Sequence, residues 1–179
     1  MLNSKLTGIF TSINLLIASF LLFTVMLAYS FPHYVAKEIT QEVRVSMTKE
    51  MDCLAKNIYY EAASESFEGK MAVAQVTINR TKSEKYPNTI CGVVYQKNVF
   101  KGKTVCQFSW TCNKVAAPKN MYLWQESEYI ARKALTEPIA HVRISEMKAM
   151  FYHATYVNPK WDKKGVVMKI GNHIFYTRT

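Results

Sequence analysis

Residues Gly8 to Phe31, GIFTSINLLIASFLLFTVMLAYSF, form an uncharged and largely apolar run of 24 residues. At about 20 residues per bilayer crossing, such a run is long enough to span a membrane. The remaining chain, about 150 residues, has room for one domain with a single core, too small to bury an uncharged helix of this length. Only Lys5 and the amino terminus carry positive charge ahead of the run, and Lys37 is the first basic residue behind it. The rest of the chain is therefore expected outside the cytoplasm, either periplasmic or anchored at the inner membrane. Two forms of export fit. Ala28-Tyr29-Ser30 places small residues where a signal peptidase reads, favouring cleavage before Phe31. The length of the run and its dilution by Thr11, Ser12, Asn14, Ser19 and Thr24 favour an uncleaved signal anchor. Residues 1–31 are set aside as that segment, 32–47 as a polar tether, and 48–179 as the domain.

Cysteine usage agrees with an oxidising compartment. Cys53, Cys91, Cys106 and Cys112 are an even set, so one or two disulfides are expected, with three connectivities open if both form. A zinc site on Cys106 and Cys112 would need two further ligands at finger-like spacing, and none is present. Lys and Arg number 23 against 13 Asp and Glu, a net charge of +10. That excess calls for an anionic partner. It is scattered along the chain without a basic block or a nucleic-acid motif, so a wall polymer or membrane surface is expected and nucleic acid is not.

Within the domain, Met51, Leu54, Ala55, Ile58 and Ala62 form one apolar stripe at helical spacing, and Glu61 falls at its edge. Burial disfavours an ionised carboxylate, so Glu61 is expected to hold a proton near neutrality, as a general acid must. Glu65 and Glu68 follow, placing three of the thirteen acids within eight residues. Thr48 can cap this helix and Ser66 the next, whose apolar residues Phe67, Met71, Val73, Ala74, Val76 and Ile78 point several ways, as in a core helix. Thr89 then caps a short segment, Ile90 to Tyr95, and Gln96 to Lys119 reads as a long polar loop. In that loop Phe108 is expected inside, with Gln107 or Trp110 facing a cleft. A helix from about Met121 to Leu135 follows. Met150 to Val157 reads as a strand, and Val166 to Ile170 and His173 to Thr177 as a hairpin closed by Gly171-Asn172 in a type II′ turn. Helices first and a small antiparallel sheet last make the class α+β, mostly helical.

Five stretches carry a family resemblance: CLAKNIYYEAASESFEGKMAVAQVTINR, YPNTICGVVYQ, CQFSWTC, FYHATYVNPKW and KIGNHIFY. In this order, from about Asp52 to Arg178, they resemble the successive motifs of the SleB-type cell-wall hydrolases, the family of the spore-cortex-lytic enzymes and of similar bacterial and phage proteins. The resemblance implies a lysozyme-like single domain that cuts the glycan strand of peptidoglycan. No cofactor or metal is expected, and the protein is expected to act as a monomer that meets the membrane through its apolar N-terminal segment. The resemblance also implies that Glu61, first of the E-A-x-x-E segment, is the catalytic acid. The family segment reads E-A-R-G-E, whereas this chain has Glu61-Ala62-Ala63-Ser64-Glu65 and so lacks the Arg and Gly. Similarity to lytic transglycosylases implies that Glu61 serves first as acid and then as base, with Glu65 or Glu68 as an auxiliary carboxylate. Gln107, Trp110, Tyr152, His153, Tyr156 and Trp161 are the candidates for hydrogen bonding to and stacking on sugars. Two alternatives stand beside this reading. A zinc amidase would use His141, His153 and His173, although no H-E-x-x-H pair exists. A membrane-anchored wall-binding module would use the same charge and aromatic residues without turnover.

Overall fold

The computed structural model describes residues 2–113, 115–137, 144, 146–159 and 165–177. The chain divides into two compact units, Met1–Ser46 and Met47–Thr179. The first helix, α1, is assigned to Leu2–Ala62 and contains Pro32. In the first unit its apolar side chains are open to the surroundings: Leu16, Phe20, Leu22, Met26 and Phe31 are each about two-thirds exposed or more. The helix is long and apolar enough to cross a membrane. Three hydroxyls of the run turn inward on their own helix. Ser19 Oγ donates to the Leu16 carbonyl at 2.9 Å, Thr24 Oγ1 donates to the Leu21 carbonyl at 2.8 Å, and Ser30 does likewise to Met26. Hydrogen-bonded this way, they bring no unpaired donor into an apolar environment.

Residues 33–47, expected as a tether, are helical, and the helix does not begin at Thr48. Val35, Ala36, Ile39, Glu42, Arg44 and Met47 continue it, and Thr40 bonds back to the Ala36 carbonyl. Polarity suggested a linker here, but Glu, Arg, Ala and Met are good helix formers.

In the second unit the end of α1 buries Leu54, Ala55, Ile58 and Ala62, and Glu65 N–H closes the helix on the Ala62 carbonyl at 3.0 Å. Helix α2, Phe67–Thr81, starts at the expected Ser66 cap and is buried on several faces, from Met71 to Thr77 without a break. Helix α3, Ile90–Val94, is capped by Thr89, and the Glu50 carboxylate accepts from the backbone N–H groups of Ile90 and Cys91. Helix α4, Met121–Thr136, is capped by Asn120. Together with Val93, Val94, Ile130, Ala131 and Phe175, these helices form one core.

The segment expected as an irregular loop holds a hairpin of β1, Lys97–Phe100, and β2, Lys103–Cys106, followed by a single 3₁₀ turn at Ser109–Thr111. Its turn residues Lys101 and Gly102 both have positive φ, 50° and 74°, which matches the right-handed twist of a two-residue hairpin. Lysine content concealed the strand formers Val99, Phe100, Thr104 and Val105. The C-terminal sheet has the order β3-β5-β4, antiparallel throughout, with β3 at Phe151–Ala154, β4 at Val166–Ile170 and β5 at His173–Tyr176. Gly171 has φ 53°, as the first residue of a type II′ turn requires. The disulfides pair Cys53 with Cys91, tying α1 to α3, and Cys106 with Cys112, tying the end of β2 to the residue after the 3₁₀ turn. The fold is thus α+β and mostly helical.

Candidate active site

Glu61 lies in the last turn of α1, where the Leu54–Ile58–Ala62 stripe turns into the core and leaves the carboxyl half-buried at its edge. The Tyr152 hydroxyl, from β3, donates to Glu61 Oε2 at 3.0 Å. Burial pushes the Glu61 carboxyl above the usual carboxylate range. The Tyr152 hydrogen bond and the nearby Arg80 charge pull the other way without cancelling it. Tyr152 is itself held well above an ordinary phenol, chiefly by burial and then by the Glu61 charge, so it stays a donor.

A cavity of about 350 Å³ opens in front of this pair, lined by Glu61, Tyr152, Arg80, Asn98, Gln107 and Phe151 among others. Arg80 enters from the last turn of α2, buried to 4% exposure among the rings of Tyr86, Phe108 and Phe151. Its Nε donates to the Met150 carbonyl at 2.9 Å, while Nη1 is buried without a hydrogen-bond partner. Burial lowers the guanidinium pKa, and Tyr86, Tyr152 and Glu61 oppose that shift. Arginine stays charged at any working pH. The site therefore sets one half-buried acid and one fixed cation around a space open to a ligand.

The expected auxiliary carboxylates are elsewhere. Because α1 stops at Ala62, Glu65 is not one turn further along the same face. Its carboxylate accepts from the backbone N–H of Asn172 at 3.0 Å and from Asn172 Nδ2 at 3.1 Å, holding the β4–β5 turn. A Cβ at Gly171 would sit 2.1 Å from Glu65 Oε2, so the glycine there admits the carboxylate as well as the turn. Glu68 is exposed in the first turn of α2.

The aromatic and amide candidates divide. Gln107 and Tyr152 line the Glu61 cavity, and Phe108 is buried as expected. Trp110 does not face the cavity. It is 8% exposed, stacks on Tyr60 at 4.6 Å between ring centroids, and donates through Nε1 to Asn57 Oδ1 at 3.1 Å. Asn57 in turn donates to Thr77, so this buried indole bolts the 3₁₀ turn to α1 and α2. His153 points to the other face of β3, with its two ring nitrogens bonded to the Ala154 carbonyl and the Tyr176 hydroxyl, each at 2.8 Å. His173 is buried, its pKa lowered by that burial, with its ring edge-on to Tyr152. Tyr156 is 86% exposed just past β3. Trp161 and His141 lie outside the described residues. Among the described residues, no group of three His, Cys, Asp or Glu is placed to hold a metal ion.

Arg80, Asn98 and Phe151 were not anticipated as site residues. For Arg80 a signal existed, since a charge following Val73, Val76 and Thr77 on a helix that is otherwise core must either pair or face a cavity. Asn98 depends on the unforeseen hairpin, and Phe151 looked like any strand residue.

Comparison with known proteins bears on the same region. A family described as Cell Wall Hydrolase matches residues 64–176. The chain is 26% identical to the spore cortex-lytic enzyme of Bacillus subtilis (strain 168) over 123 residues, which are 68% of this chain and 35% of that protein. It is 26% identical to the spore cortex-lytic enzyme of Oceanobacillus iheyensis over 127 residues, 70% of this chain and 41% of that one. The chain thus spans well under half the length of these curated relatives. The catalytic domain of the Bacillus cereus SleB protein shares its fold, with a TM-score of 0.51 at 22% identity over 73% of this chain and 91% of that structure. The family match opens three residues after Glu61.

Proposed function

Because the chain belongs to the cell wall hydrolase family, we propose that its second unit, exported or held at the membrane by the apolar part of α1, cleaves the glycan strand of peptidoglycan with Glu61 as the general acid. The observation that carries this reading is the half-buried Glu61 carboxyl, its pKa raised by burial, hydrogen-bonded to Tyr152 at the wall of a ligand-sized cavity. Protonated Glu61 gives its proton to the glycosidic oxygen as the bond to the anomeric carbon breaks. The resulting carboxylate then takes the proton of the same sugar's C6 hydroxyl, whose oxygen closes on the anomeric carbon to leave a 1,6-anhydro ring. Hydrolysis by the two-carboxylate routes needs a partner about 5 Å or about 6.5–9.5 Å away. Glu65 is engaged with Asn172 and Glu68 is exposed on α2, which supports the single-carboxylate transglycosylase route.

Mass spectrometry of the products from purified peptidoglycan tests the reading. Anhydro-muramoyl ends are expected. Reducing sugar ends would replace the transglycosylase by a muramidase, free stem peptides by an amidase, and co-sedimentation with no product by a wall-binding module.

Tyr152 makes a pH prediction. Glu61 must be protonated to act, so activity should fall as pH rises through its pKa. The Tyr152 hydrogen bond favours the ionised form and lowers that pKa. In Tyr152→Phe the alkaline limb of the kcat/KM profile should therefore move to higher pH, with a lower maximum because the carboxyl loses its anchor. An unmoved or downward-shifted limb would dissociate Tyr152 from the acid.

A further inference from the structure

Apart from Cys106, every residue of β1 and β2 is exposed, so the two faces of this hairpin are told apart by alternation alone. Asn98 and Val105 are opposite each other in the register and both line the Glu61 cavity, joined by Gln107 beyond the end of β2. Successive side chains of a strand point to opposite faces, and cross-strand partners share one. The next pair on the cavity-facing side is therefore Phe100 with Lys103, whereas Val99 with Thr104 belongs to the far side. Two residues along a strand cover about 7 Å. The wall of the cavity thus continues outward along the hairpin, and Phe100 stands on it 65% exposed.

A polymeric substrate needs such a continuation. The Glu61 cavity, of about 350 Å³, is near the lower end of the range for ligand sites, roughly 300–1,000 Å³. A glycan cut at an internal bond has sugars on both sides of it, so the units beyond the cavity lie on surface continuous with its wall. The apolar C–H face of a pyranose ring fits an exposed aromatic ring, which covers a large area at little cost in side-chain freedom. Charge agrees with this occupant: between Glu84 and Glu126 the chain has six lysines and no acidic residue, and peptidoglycan is anionic through its muramoyl or peptide carboxylates. A lipid surface is the other apolar and anionic candidate. A hairpin that enters lipid presents apolar residues at its apex, whereas here the apex is Lys101-Gly102-Lys103 and Phe100 is set on the side that continues the cavity.

We propose that the cavity-facing side of the β1–β2 hairpin is a glycan subsite, on which the strand continues from Asn98 and Val105 past the bond that Glu61 breaks and lays a sugar ring against Phe100. The proposal rests on the glycan-cleaving reading and adds to it a preference for long strands over short fragments.

Phe100→Ala and Val99→Ala remove exposed apolar side chains from neighbouring positions on opposite faces, so neither should move Tm by more than about two degrees. With the full chain in detergent, Phe100→Ala should lower kcat/KM on long glycan strands about tenfold, mainly through KM, and on the shortest fragment that the parent cuts by under about twofold. Val99→Ala should match the parent on both substrates. Phe100→Tyr, which keeps the ring, should stay near the parent on long strands. Parental kcat/KM on long strands in Phe100→Ala overturns the proposal, as does an equal loss on long and short substrates, or a loss as large in Val99→Ala or Phe100→Tyr. A loss that appears only in vesicles of anionic lipid, and not in detergent, assigns Phe100 to the lipid surface and overturns it as well. If the parent cleaves no glycan, the glycan-cleaving reading has failed separately, and co-sedimentation with peptidoglycan judges the subsite. Phe100→Ala should then be retained about tenfold less tightly than the parent, and equal retention overturns the subsite too.

Discussion

Glu61→Gln is expected to reduce glycan cleavage by a factor of about 10² or more while the protein melts within a few degrees of the parent. The amide keeps the size of the side chain and still offers an oxygen to the Tyr152 hydroxyl, but it has no proton to give to the glycosidic oxygen. Loss of a general acid typically costs about 10²–10⁴ in rate. Stability should survive, because burial already disfavours the ionised form and the amide carries no charge to desolvate. The contrast with Glu65→Gln sharpens the test. Glu65 accepts two hydrogen bonds from Asn172, and an amide turned into that position presents its NH₂ to one of the donors. Glu65→Gln should therefore lower the melting temperature first and change specific activity less. A Glu61→Gln protein that melts like the parent and clears peptidoglycan at the parental rate would remove Glu61 from the mechanism. An equal rate loss in a fully folded Glu65→Gln would make Glu65 the second catalytic carboxylate.

The largest stability effect is expected from the disulfide between α1 and α3. Cys53 and Cys91 are 38 residues apart, and opening a loop of that size releases about 3–4 kcal/mol of unfolded-chain entropy. For a domain of this size that corresponds to a drop of about 10–15 °C in Tm. Helix α3 has only five residues, too few to stand alone, yet Val93 and Val94 are completely buried. It depends on the Thr89 cap, the Glu50 carboxylate and this bridge. Cys53→Ala with Cys91→Ala, compared with the parent by calorimetry, should show the loss, and added reductant should bring the parent down to the level of the double variant or below it. A shift of under about 3 °C would mean that the caps alone hold α3. Cys106 and Cys112 are 6 residues apart, so their bridge should contribute less to Tm. Because it closes the segment that carries Gln107, its removal should raise KM while lowering Tm by less than removal of the Cys53–Cys91 bridge does.

Local chemistry was legible in the sequence. Ser66 and Thr89 cap where a side-chain oxygen precedes a helical pattern, Gly171-Asn172 turns where a glycine opens positive φ, and Glu61 is half-buried because helical spacing alone puts it at the edge of an apolar stripe. What escaped the sequence depends on partners far along the chain. Helix α1 runs through Pro32 and the supposed tether because proline removes a single hydrogen bond and the residues behind it favour helix. The β1–β2 hairpin was hidden because its strands are short, lysine-rich and exposed, so no buried face imposed alternation. Trp110 could equally have met a sugar or a core, and the choice fell to Asn57, 53 residues away, which offers its carbonyl to the indole N–H. Glu65 went to Asn172, 107 residues on, because the helix stopped short of it and the turn brought two donors to its carboxylate. Bonding Glu61 to Tyr152, 91 residues away, and setting it near the Arg80 charge was likewise the work of the tertiary structure. Spacing along one helix fixes which face a side chain occupies, but only the packing of α2 and β3 against that face decides which proton donor and which cation it meets.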